Sequence, residues 1–182
     1  MPIYIALLRG INIGPHKRMK MENLIASCAA CGWAGVKTYI QSGNVVFKAG
    51  KSSPDAVAKK LAAQIIADFG FSADVIVRSK EEMESTIKSN SLLKQRGIDQ
   101  EKLHVAFLAE PPQPEALKQL ESLTLAPDQV RIAGKEIYFY FPNGVSGSSL
   151  WKHPLDKVLK ASVTMRNWNT VNQLCRLAGE LA

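Results

Sequence analysis

The sequence predicts an α+β fold of two ferredoxin-like (βαββαβ) halves, the second irregular and carrying an extra C-terminal helix. Three observations predict it. Short apolar runs alternate with stretches of helical periodicity in the order β-α-β-β-α-β. Two glycine-containing turns, Gln41-Ser42-Gly43-Asn44 and Ala133-Gly134-Lys135, each separate a pair of apolar runs as in a hairpin. The second half of the chain then repeats the element order of the first, in pattern and not in residue identity.

Residues 3–8 are a short apolar run that reads as a buried strand. The loop GINIGPHKR follows, punctuated by Gly10, Gly14 and Pro15. Met21, Leu24, Ile25 and Cys28 recur at helical spacing, and Gly32 stops that helix. Residues 36–40 and 45–47 flank the first hairpin turn. Val57, Leu61, Ile65 and Ile66 mark a second helix, begun by the cap chemistry of Ser53-Pro54-Asp55. A fourth strand covers 73–77, and a polar, helix-rich linker covers 80–101. In the second half, strands are expected at 103–108, 129–132, 136–141 and 162–165. Helices are expected at 115–123, at 149–159 despite Pro154, and from 168 to 177, where Trp168, Val171, Cys175 and Ala178 share a face. The expected organisation is a half of residues 1–79, the linker 80–101, and a half of residues 102–182.

The 182 residues suffice for a real core, and 46% hydrophobic with 21% charged residues is an ordinary globular balance. No apolar run reaches the roughly 18 residues of a membrane span. The opening MPIYIALLRG lacks the basic start and cleavage site of a secretory signal, and three cysteines close no disulfide framework. The expected location is cytoplasmic. The net charge is +7, and its excess sits at the ends. Residues 1–20 hold Arg9, Lys17, Arg18 and Lys20 with no acid, and residues 143–182 hold five basic and two acidic side chains. Such a balance attracts anions if the fold gathers it, and otherwise serves solubility.

Three loops carry the candidate chemistry. Residues 9–18 leave a strand and enter a helix, where backbone N–H groups and the helix dipole favour an anion. Arg9, Asn12 and Lys17 are its candidate ligand-binding residues, with Lys20 a further source of charge-assisted contacts. Its spacing is neither that of a P-loop nor that of a dinucleotide fingerprint. The early hairpin turn adds Gln41 and Asn44, whose amides offer donors and acceptors, although Asx-turn chemistry explains Asn44 equally well. Residues 164–170 add Arg166 and Asn169 beside the last helix, while Asn167 and Trp168 read as a cap and a packing anchor.

Other features read as structural. Cys28-Ala29-Ala30-Cys31 has redox spacing but lies at the end of an amphipathic helix, where buried inert thiols are the simpler account. His16, His104 and His153 show no metal-ligand spacing, so no metal and no cofactor is called for. Glu81, Glu82 and Glu84 read as a solvated helix start.

The stretches LLRGIN, TYIQSGN and RNWNT, in that order, resemble the bacterial family of domain of unknown function 1697. The resemblance spans nearly the whole chain and implies a cytosolic bacterial protein of two α+β, ferredoxin-like halves. It brings no substrate, cofactor or catalytic residue with it. That family's central segment often carries an Asn-Pro-Phe-type stretch, and this chain has Ser89-Asn90-Ser91-Leu92-Leu93 there.

Three function classes fit these residues. The first is binding of an anionic, phosphate-bearing ligand, a nucleotide or nucleic acid, in a basic, amide-rich cleft. The second is an enzyme acting on a small phosphorylated or carboxylated metabolite, for which no nucleophile or base stands out. The third is a protein-interaction module that pairs through an exposed sheet edge.

Overall fold

The computed structural model describes residues 1–182. β1 (Ile3–Arg9), α1 (Met21–Ala30), β2 (Ala34–Tyr39), β3 (Asn44–Lys48), α2 (Pro54–Phe69) and β4 (Asp74–Ser79) form the first βαββαβ set, with α3 (Lys80–Lys88) after it. The second set is β5 (Leu103–Leu108), α4 (Pro114–Glu121), β6 (Gln129–Ala133), β7 (Glu136–Tyr140), α5 (Leu155–Leu159) and β8 (Val163–Asn167), with α6 (Trp168–Glu180) after it. Their strands make two four-stranded antiparallel sheets of matching order, β2-β3-β1-β4 and β6-β7-β5-β8. The expected α+β class with two ferredoxin-like halves is therefore what the chain adopts.

The chain divides into two compact units, one of Met1–Ser85 with Asn172–Ala182 and one of Thr86–Val171. The backbone leaves the first unit within α3 and re-enters it within α6.

In the first unit, β1 lies between β3 and β4, so its side chains are buried along nearly the whole strand. Tyr4, Ala6 and Leu8 pack with Val45 and Phe47 of β3 against Leu24 and Cys28 of α1 and Leu61 and Ile65 of α2. Each fully buried Leu, Ile or Phe contributes about 1.5–3 kcal/mol. Trp33 stacks on Phe47 with ring centroids 4.2 Å apart and closes one end of this core. In the second unit, Ala106, Leu108, Ile137 and Phe139 of the sheet pack against Leu120 of α4 and Val158 and Leu159 of α5.

One expected element divides in two. The helix expected over 149–159 is a 3-10 turn at Ser149–Lys152 and the short α5. Pro154 has no N–H to continue the ladder, and it disfavours the helical region for His153, which is extended at φ −128°, ψ 91°.

Candidate functional site

The first unit brings two of the three candidate loops together through one side chain. Asn12 sits at φ 55°, a left-handed conformation that asparagine tolerates better than most residues. Its Nδ2 donates to the carbonyls of Met19 (2.8 Å) and Gln41 (2.9 Å), and its Oδ1 accepts the Met19 N–H at 2.8 Å. The Asn12 amide is thus spent on a clamp. It closes the β1–α1 loop on itself and ties it to the β2–β3 turn.

The turn is built with the same economy. Asn44 is fully buried, and its Nδ2 donates to the Tyr39 carbonyl at 3.0 Å and to Ser42 Oγ at 2.8 Å. Gly43 stands at φ 78°, and its carbonyl accepts the Leu8 N–H at 2.8 Å. Lys17, also left-handed at φ 51°, donates its ammonium to the Ser72 carbonyl at 2.7 Å. Arg9 faces Asp74 across the β1–β4 register, 3.8 Å from its carboxylate, and both side chains are substantially exposed. Such surface pairs are worth about 0–1 kcal/mol.

What remains available for a ligand is a different subset. A groove of about 550 Å³ is lined by Asn12, Arg18, Met19, Lys20, Asn23, Gln41 and Phe69. No acidic side chain lines it. Arg18 makes no ion pair within the chain, and the side-chain amides of Asn23 and Gln41 have no partner there. Lys20 is 3.9 Å from Glu22, with both side chains largely in solvent. Lys20 is also the N-cap of the ten-residue α1 and supplies no side-chain cap, so the positive end of that helix dipole adds to the field. Met19 is buried, and Phe69, at the C-terminal end of α2, is half-buried.

Sequence reasoning reached Asn12 and Gln41, which the structure joins by a hydrogen bond. It missed Asn23 and Phe69, whose place in the groove depends on how α1 and α2 pack. It passed over Arg18 as a site residue, although Arg18 lies inside the basic run it had singled out.

Arg166 and Asn169 belong to the second unit. Arg166 is buried, and its guanidinium donates to Thr164 Oγ1 at 2.7 Å and to the Met165 carbonyl at 2.9 Å. Burial pulls its pKa down to about 10. Asn169 is exposed in the first turn of α6, which Asn167 caps by accepting the Thr170 N–H at 2.8 Å.

The thiols read as inert. Burial, reinforced by the neighbouring Cys31, pushes Cys28 up to about 12. Burial also raises Cys31, against the opposing pull of Lys60. Neither is a thiolate at neutral pH. In the second unit, burial lowers the pKa of His104, whose Nδ1 has no hydrogen-bond partner and whose ring meets Phe141 edge-on. No group of three His, Cys, Asp or Glu side chains is placed to hold a metal ion.

The model of the family described as protein of unknown function (DUF1697) matches residues 1–138. The chain belongs to the DUF1697 family. Among solved structures, this DUF1697 protein is similar to a conserved bacterial protein, SP0830, from Streptococcus pneumoniae. The two share 22% identity at a TM-score of 0.79, over 97% of this chain and 98% of the other. That likeness confirms the fold. No curated protein matches the sequence. No helix is long and apolar enough to cross a membrane.

Proposed function

We propose that this DUF1697 protein binds a phosphate-bearing anion, a nucleotide or nucleic acid, in the groove between the β1–α1 loop and the β2–β3 turn. One observation carries the reading. Two cations, Arg18 and Lys20, and two unpartnered carboxamides, Asn23 and Gln41, line one concave surface with no acid in its lining, and Asn12 ties the two loops that border it. Arg18 offers a forked donor to phosphate, and Lys20 adds a point charge beside the α1 N-terminus. Of the residues singled out in the sequence, Gln41 is a ligand contact, Asn12 and Asn44 shape the site, and Arg9 and Lys17 contribute charge around it.

The test is a thermal-shift titration with ADP and with a short oligoribonucleotide, on the native chain and on Arg18→Ala/Lys20→Ala. A ligand that binds only the folded form raises its stability by RT ln(1 + [L]/Kd). Hydrogen bonds to charged groups contribute about 1.5–3 kcal/mol each. Each truncation should therefore weaken binding roughly ten- to hundredfold. Stabilisation of the native chain that the double variant retains in full would refute this assignment.

A further inference from the structure

We propose that the occupant of this groove is a single strand of nucleic acid longer than one nucleotide, gripped by Ile13 and Ile40 next to the groove's lining residues. The inference rests on the phosphate-binding reading and specifies its ligand. Its starting point is a pair of residues that the fold does not explain. Ile13 is 74% exposed, the most of any large apolar side chain in the chain, and Ile40 is 51% exposed, behind Met1, Trp151 and Ile66. Ile40 also stands at φ 50°, where a β-branched residue is an outlier and glycine or asparagine would sit without strain. Stability alone would select neither an isoleucine there nor its exposure.

These two residues each adjoin, along the chain, a residue that lines the groove. Ile13 follows Asn12 and Ile40 precedes Gln41, and the Asn12 amide donates directly to the Gln41 carbonyl. Neither isoleucine is part of the groove lining. The apolar surface seeking a partner is therefore wider than the groove. Further cations stand outside the lining: Arg9, 3.8 Å from Asp74, and Lys17, which donates to the Ser72 carbonyl, lie on the same segment of residues 1–20. A mononucleotide would satisfy the groove and leave this border unused. A longer strand places one nucleotide in the groove, its neighbours' bases against Ile13 and Ile40, and further phosphates along the basic loop.

The ligand must also present base edges and faces. Asn23 and Gln41 offer donors and acceptors suited to a base edge, and Phe69 adds an apolar surface to the same lining. In a duplex those edges and faces are paired and stacked, so an unpaired strand fits better. A lipid surface would use the isoleucines and the cations, but it has no need of two carboxamides in a concave groove.

The experiment is fluorescence anisotropy with a labelled eight-nucleotide single-stranded RNA of mixed sequence. ADP, the same sequence as a duplex, and phosphatidylglycerol vesicles are measured in parallel. The variants are Ile13→Ser, Ile40→Asn and their double. Asparagine accepts the left-handed conformation at position 40, so the fold is retained, which thermal unfolding verifies. The single strand should bind at least about tenfold more tightly than ADP or the duplex, and its affinity should fall steeply between about 50 and 200 mM salt. The double variant should lose about tenfold or more in affinity for the strand while its affinity for ADP stays unchanged. Equal affinity for ADP and the strand, or strand binding indifferent to both isoleucines, would overturn the inference and leave the phosphate reading standing. Vesicle binding that needs the isoleucines, with no strand binding, would overturn it in favour of a bilayer. No binding of either ADP or the strand would remove both readings.

Discussion

Gly43 joins the fold and the site in one residue. Its φ is 78°, and a Cβ placed on it would lie 2.7 Å from Leu8 Cβ and 2.8 Å from Ile11 Cδ1. Gly43→Ala therefore meets two costs, about 1–2 kcal/mol for the left-handed backbone and about 1–3 kcal/mol for overpacking. The expected loss is roughly 2–5 kcal/mol in urea unfolding, and a variant as stable as the native chain would contradict this packing. The residue types at this turn were legible in the sequence, because a hairpin needs a glycine and tolerates an asparagine. Which amides remain available to a ligand was not legible. Asn12 and Gln41 are 29 positions apart, and only the folded register reveals that the first spends its side chain on the second's backbone. Arg166 is a parallel case: the sequence displays a cation beside a helix start, and its burial and its bonds to Thr164 and Met165 come only with the fold.

Helix boundaries show where local chemistry decides and where it does not. For α2 every signal agrees. Ser53 Oγ accepts the Ala56 N–H at 3.2 Å, Pro54 takes the first helical position, and Gly70 ends the helix at φ 71°. All three are short-range devices, and the sequence displays them openly. Ser53→Ala should lower global stability by about 1 kcal/mol, whereas Ser53→Asp should be nearly neutral. A chemical denaturation curve for each variant decides, and equal losses would mean that the cap is not what Ser53 supplies. The acids that open α3 carry more structure than a solvated face. Glu82 accepts the Ser79 N–H at 2.8 Å while Ser79 Oγ accepts the Glu82 N–H at 3.2 Å, a reciprocal capping box. The split at Pro154 runs the other way: apolar spacing suggested one helix, and the missing N–H divided it.

Across the whole chain, the second set of elements repeats the first more deeply than the element order showed. In the sheet registers Tyr4, Ile5, Ala6 and Leu8 of β1 correspond to His104, Val105, Ala106 and Leu108 of β5. Phe47 corresponds to Phe139, opposite Tyr4 and His104. Arg78 corresponds to Arg166, and Ser79 to Asn167, each the residue before a helix. The two sets are connected by loops of different lengths, so equivalent residues drift in spacing along the chain and no fixed period appears. The two sets differ most in their loops, and the groove is built in the first unit from loops and helix ends. This explains why the fold was readable from pattern while the site was readable only in part. The most direct measurement is a two-dimensional amide NMR titration of the labelled protein with a short single-stranded oligoribonucleotide. The account predicts shifts concentrated in residues 9–23, 40–44 and 69–72, with little change elsewhere. Shifts centred on the second unit, or none at millimolar ligand, would contradict it.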